Sequence, residues 1–224
     1  MKNKYNLTVE ENIFVAKRNL VDNIYRSAKL EGLAITYPDT ETIINGGKIQ
    51  GLTTDEVVTI NNLKHAWQFI LETTDYPTDF GFIQEINRKV GTGLFYTAGE
   101  IRKVPVSVGG TKWKPPEPNE LETKEEIAET LKIKNPTERS IELILRIMRR
   151  QIFIDGNKRT GMLAGNHQMI CNGCGIITIP EESITEFFTK LLKYYENNEI
   201  NEVKDFVYEI GIDGIHMNIE NGRY

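Results

Sequence analysis

The sequence predicts a mainly α-helical domain carrying one β-hairpin. Three observations lead there. Apolar residues recur at helical spacing through most of the 224-residue chain. Start and stop residues bracket those segments, as Thr53-Thr54-Asp55-Glu56 and Gly32 do. One stretch, Arg102–Val108, alternates as a strand does and runs into a Gly109-Gly110 turn.

The first helix is expected from Thr8 to Glu31, on Ile13, Val15, Ala16, Leu20, Ile24 and Ala28, and Gly32 ends it. The polar run Tyr37-Pro38-Asp39-Thr40-Glu41-Thr42 reads as a loop. A second helix starts at Thr53 and runs through Ile60, Leu63, Trp67 and Ile70, and a third covers Phe80 to Val90. Pro105 confines the strand to a sheet edge or hairpin. Trp113–Pro118, with three prolines in six residues, is a stiff extended connector. Helices are expected again over 120–132, 138–150, 158–171, 181–197 and 201–210. There is no internal repeat. Residues 1–52 form an N-terminal helix with its connecting loop, and 53–224 a core packed with it as one unit.

Hydrophobic content of 39% and charged content of 26% suit a soluble globular domain. A net charge of -5 argues against nucleic acid as the main partner. No apolar run reaches membrane-spanning length, and the start Met1-Lys2-Asn3-Lys4-Tyr5 lacks the apolar core of a signal peptide, so a cytoplasmic protein is expected. Cys171 and Cys174 form a C-x-x-C pair. A closed zinc site needs four ligands. The histidines His65, His167 and His216 supply no second pair, so two thiols at a helix end are expected.

The stretch from Arg149 to Gly161 carries the most chemical information. An apolar helix enters a short loop holding Asp155, Gly156 and Asn157, and Lys158, Arg159 and Thr160 open the next helix. The first N–H groups of a helix have no helical partner, and its dipole is positive there. Acidic residues usually occupy such a start; cations here point to a bound polyanion. Gly156 lets the backbone approach a ligand or take positive φ. Asp155 is the hard oxygen ligand that Mg²⁺ takes beside a phosphate.

This loop resembles the signature of the Fic/Doc family, His-x-Phe-x-(Asp/Glu)-Gly-Asn-(Gly/Lys)-Arg. Phe153, Asp155, Gly156, Asn157, Lys158 and Arg159 match it at the family's spacing. The resemblance implies the Fic (Fido) helical fold with a hairpin flap, ATP and Mg²⁺ as cofactors, and transfer of AMP to a hydroxyl of a protein target. By the same resemblance Asp155 is the metal ligand, Asn157 contacts the α-phosphate and Gly156 gives backbone approach. Lys158, Arg159 and Thr160 complete the phosphate site, and Phe153 anchors the loop. Arg102, Val104, Val106 and Val108 form the flap, which would hold the target by strand addition. Ser27-x-x-x-Glu31-Gly32 resembles the family's inhibitory motif, in which the Glu occupies the γ-phosphate space. The resemblance also admits a homodimer.

Two positions depart from the pattern. The catalytic His is Gln151, whose amide has no useful proton affinity near neutral pH. Loss of a general base removes about 10²–10⁴-fold in rate while positioning and phosphate binding remain. His167 lies roughly 15 Å along its helix from the loop and reads as a helix-face residue. The Arg that contacts the γ-phosphate in the AMP-transferring branch is Met162, so Glu31 must pair with Lys158 or Arg159. Asn157-Lys158-Arg159-Thr160 resembles the Doc branch, which phosphorylates its target. The readings are therefore an adenylyltransferase weakened at its base, a Doc-like kinase, or a nucleotide-binding module without turnover. Linkage of Ser27–Gly32 to the core argues against a separate antitoxin.

Overall fold

The computed structural model describes residues 1–214; His216 and the end of the 53–224 unit lie outside them. The described residues form α1 (Val9–Arg18), α2 (Leu20–Leu30), α3 (Tyr37–Ile44), α4 (Thr54–Glu72), α5 (Phe80–Gly91), α6 (Glu120–Leu131), α7 (Pro136–Arg150), α8 (Asn157–Cys171), α9 (Ile184–Asn197) and α10 (Asn201–Ile210). A two-stranded antiparallel sheet pairs β1 (Ile176–Ile177) with β2 (Ile212–Asp213), Ile176 facing Asp213 and Ile177 facing Ile212. The architecture is mainly α, as the sequence predicts.

Three elements differ from expectation. The long first helix is broken at Asn19, which leaves helical geometry (φ -99, ψ 16) and both ends α1 and starts α2. The bend lets α1 pack on α8, where Asn12 exchanges hydrogen bonds with the Gly175 main chain. It turns α2 onto α3 and α4. The Tyr37–Thr42 run is helical, not a loop. Thr36 and Asp39 cap it reciprocally, Pro38 sits in the first turn where its missing N–H is harmless, and Thr40, Ile43 and Ile44 are buried.

The third difference is the segment after Ile101. Residues 102–108 are extended and turn at Gly109-Gly110, but no ladder forms along them. Prolines explain this. Pro105 on the outgoing arm and Pro115 and Pro116 on the return arm have no N–H to give.

Two apolar clusters hold the helices. The first joins Val15 and Ile24 of the N-terminal helices to Trp67, Ile83 and Phe153, so residues 1–52 share the core of the rest. The second joins Ile144, Met162, Met169, Phe187 and Tyr195 under α9 and α10. Helices α7 and α8 pack face to face between them, with small residues at the contact. A Cβ on Gly165 would fall 2.3 Å from Ile144 Cγ1 and 2.9 Å from the Ser140 carbonyl. That close pairing fixes the loop joining the two helices.

Candidate functional site: the α7–α8 loop

Helix α7 ends at Gln151, which adopts left-handed geometry (φ 49, ψ 57). A non-glycine residue held there marks a backbone constrained by its surroundings. The Gln151 carboxamide is engaged at both ends. Nε2 donates to the Met148 carbonyl at 2.6 Å, and Oε1 accepts from Asn157 Nδ2 at 3.2 Å. Tyr195 bonds the same side chain, and burial pushes its phenol well above the usual range, with the charges of Tyr194 and Glu31 adding. Neither the Gln151 amide nor the Tyr195 phenol takes up a proton near neutral pH.

Asn157 closes the loop like a staple. Its Oδ1 accepts from the Phe153 N–H and its Nδ2 donates to the Phe153 carbonyl, at 3.0 and 2.9 Å. Phe153 is fully buried, as an anchor should be. Gly156 takes φ 75 as the residue ahead of α8. A Cβ there would meet Val90 at 3.0 Å and Asn87 at 3.2 Å. Asn87 of α5, which nothing in the sequence singles out, donates to the Asp155 carbonyl and the Thr160 hydroxyl, and its Oδ1 accepts from Gly99 N–H. It is a buried Asn whose partners lie far along the chain, so no local pattern can reveal it.

The phosphate-site residues expected from the sequence therefore divide. Thr160 is wholly buried and turned toward α5, and the Asn157 side chain is spent on the loop itself. Neither side chain is available to an anion. Lys158 and Arg159 are placed differently. Arg159 is 6% exposed, bonds Asp155 Oδ2 through Nη2 at 3.2 Å, and puts Nε 3.6 Å from Glu31 Oε2. Lys158 Nζ lies 3.9 Å from Glu31 Oε1, 3.4 Å from the Leu30 carbonyl and 4.9 Å from the centre of the Phe188 ring. Both distances to Glu31 exceed a hydrogen bond. Arg159 Nε and Glu31 Oε1 are buried without a hydrogen-bond partner among the described residues.

Glu31 reaches this point because Gly32, at φ 81, reverses the chain at the end of α2. Ser27 does not join it: its hydroxyl donates to the Asn23 carbonyl inside α2. Met162 is buried in the second core, so no cation stands at that position of α8.

Glu31, Gln151, Asp155 and Lys158 face a cleft of ≈ 440 Å³, closed on the far side by Phe188 and Leu192 of α9 and roofed by Ser107–Gly109. That volume lies in the range of small-molecule sites. Asp155 is 61% exposed, and its Oδ1 makes no hydrogen bond or ion pair among the described residues. No group of three metal-ligating side chains occurs among them. One free carboxylate oxygen beside two cations fits Mg²⁺ that takes its other oxygens from phosphates and water.

The flap residues are unequal. Val104 is 48% exposed, while Val108 packs against the second core. Arg102 is 3% exposed, with its N–H bonded to the Ile152 carbonyl. Contrary to expectation, its side chain is therefore not exposed on the flap surface.

Other expected features fall outside the cleft. His167 is a core residue rather than a helix-face one. Its Nδ1 meets the Thr78 hydroxyl at 2.6 Å and its Nε2 the Thr73 carbonyl at 3.1 Å, and burial lowers its basicity. Cys171 and Cys174 are free thiols, and burial pushes Cys171 up to about 11, so neither has thiolate character. Among the described residues no helix is long and apolar enough to cross a membrane.

Residues 77–169, from the start of α5 through most of α8, match the model of the Fic/DOC family. That segment of the chain is similar to the Fic/DOC family. Solved structures agree on the fold. A Fic-domain-containing signaling protein from Bacteroides thetaiotaomicron is similar with a TM-score of 0.73 at 20% identity, over 91% of this chain and 85% of that one. Fic-1 from C. elegans is similar at 0.69 and 21% identity, over 87% of this chain and 61% of that one. BepC, a VirB-translocated effector from Bartonella tribocorum solved with bound AMPPNP, is similar at 0.50 and 14% identity, over 72% of this chain and 94% of that one. No curated protein matches the chain.

Proposed function

We propose that this chain holds ATP with Mg²⁺ in the α8 cleft and is built to transfer AMP to a hydroxyl of a protein laid against residues 103–108. Transfer is held back twice, by Gln151 and by Glu31. The observation that carries the reading is the buried, under-bonded pair Arg159–Glu31 at the start of α8. Arg159 Nη2 has Asp155, but the buried Nε–H has no acceptor, which is costly unless something supplies one. A phosphate oxygen does so, with the amides of the first α8 turn as further donors. The Bartonella protein of similar fold was solved with bound AMPPNP, which supports a nucleotide as the class of ligand.

In this reading Lys158 and Arg159 hold phosphate oxygens, and Asp155 supplies one ligand to the metal. Mg²⁺, when bound, neutralises charge between phosphates. Phe188 and Leu192 exclude water on the α9 side. The target hydroxyl attacks the α-phosphorus, pyrophosphate leaves, and the hydroxyl proton needs an acceptor. Gln151 is none: its amide is bonded to Met148 and Asn157. That engagement favours a second reading, a nucleotide-binding module without turnover.

Two measurements decide. Calorimetric titration with ATP should show binding that needs Mg²⁺ and is lost in Asp155→Ala; binding indifferent to both removes the cleft from consideration. Gln151→His should raise transfer by about 10²–10⁴-fold, the usual worth of a general base. If it binds nucleotide and still transfers nothing, the module reading stands. The product's mass separates AMP from phosphate addition.

A further inference from the structure

Arg102 is a buried cation with no ion-pair partner among the described residues. Burial lowers its affinity for a proton, and only the more distant Glu117 charge opposes this. Its donors go instead to main-chain carbonyls. Nε bonds Gln151 at 2.7 Å, Nη1 bonds Val104 at 2.8 Å, and Nη2 bonds Pro115 at 3.3 Å and Pro116 at 2.5 Å. Its own N–H bonds the Ile152 carbonyl at 3.0 Å. One side chain thus ties the outgoing arm of the flap, the return arm, and the residue at the family's catalytic position.

The physical need is plain. A hairpin normally holds its arms with N–H groups. Here prolines remove donors at 105, 115 and 116, leaving carbonyls that need partners. A guanidinium brings five donors in a rigid fork and stays charged when buried, which Lys does not match. The same fork caps the carbonyl of Gln151, whose left-handed backbone needs holding.

We propose that Arg102 is the positioning residue of the flap: it replaces the missing ladder and sets the distance between the strand-docking edge and position 151. Its consequence for transfer rests on the function proposed above; its consequence for flap placement does not. Arg102 touches none of Asp155, Lys158 and Arg159, although the flap it holds roofs the cleft, so nucleotide binding should change far less than transfer.

Trp113 provides the reporter. It lies on the return arm, against Tyr195 at 5.5 Å and the Arg149 guanidinium at 4.8 Å. The other tryptophan, Trp67, is 1% exposed and shielded from quencher. The experiment compares Arg102→Met and Arg102→Lys, each alone and with Gln151→His. In Arg102→Met, acrylamide quenching of Trp113 should rise toward that of the unfolded chain while Mg²⁺–ATP affinity falls far less than transfer does. Transfer in the Gln151→His background should fall on the order of 10²-fold, the effect of an ångström-scale misplacement. Arg102→Lys should recover part of both effects, and it carries the test if Arg102→Met fails to fold. Unchanged quenching in a folded variant overturns the proposal, as does a loss of nucleotide affinity equal to the loss of transfer. Absence of transfer in Gln151→His with Arg102 intact counts against the proposed function alone, and the quenching still decides for Arg102.

Discussion

Single residues in this chain are read well by chemistry and poorly by position. Asp155, Lys158 and Arg159 stand out in the sequence because cations at a helix start oppose the dipole; the structure brings Asp155 and Lys158 to one cleft and buries Arg159 behind them, bonded to Asp155. Asn157 and Thr160 sit in the same motif, yet their side chains serve the loop. His167 reads in the sequence as a helix-face residue and is a core hydrogen-bonding group. Its folded-state basicity is lowered by burial, so the unfolded chain binds its proton more readily. Its contribution to stability is complete above the unfolded value of about 6.5 and is lost as pH falls from there through the lower folded value. Urea midpoints at neutral and mildly acidic pH should therefore diverge more for the wild type than for His167→Gln. Equal slopes would mean His167 takes its proton without strain.

At the scale of elements, helix starts were legible and helix interruptions were not. The reciprocal caps Thr8/Glu11 and Thr53/Glu56 begin α1 and α4 where local pattern places them. Thr36/Asp39 is the same signal, outweighed in the sequence by the polar run that follows it. The break at Asn19 has no comparable mark. It exists because α1 must lie on α8 while α2 lies on α4. Close approach of α7 and α8 is likewise a pairwise property. Gly165→Ala on an exposed helix face would gain about 1 kcal/mol from propensity. Here the new methyl strikes Ile144 and the Ser140 carbonyl. A loss of about 1–3 kcal/mol is expected, read from the urea midpoint. A stabilised variant would mean the two helices separate without penalty.

Across the whole molecule, misplaced charges at two helix ends answer each other. Glu31 stands at the end of α2, where a carboxylate opposes the dipole, and Lys158 and Arg159 stand at the start of α8, where cations do. Each is unfavourable alone; the fold sets the ends together, with Lys158 Nζ reaching both Glu31 and the Leu30 carbonyl. In the proposed function Glu31 therefore competes with a polyanion for the same cations. Glu31→Gln should tighten Mg²⁺–ATP binding by about tenfold, ~1.4 kcal/mol, in the calorimeter. Unchanged affinity would remove Glu31 from any inhibitory role. The sequence alone determined the helical class, most helix starts, the loop's residue types and the loss of a base at position 151, because these depend on near neighbours and side-chain chemistry. Only the tertiary structure decided which motif side chains face the cleft, that Glu31 meets Arg159, and that Arg102 stands in for a sheet ladder. Those facts depend on groups tens of residues apart, brought together by burial of shared apolar faces that no local pattern encodes.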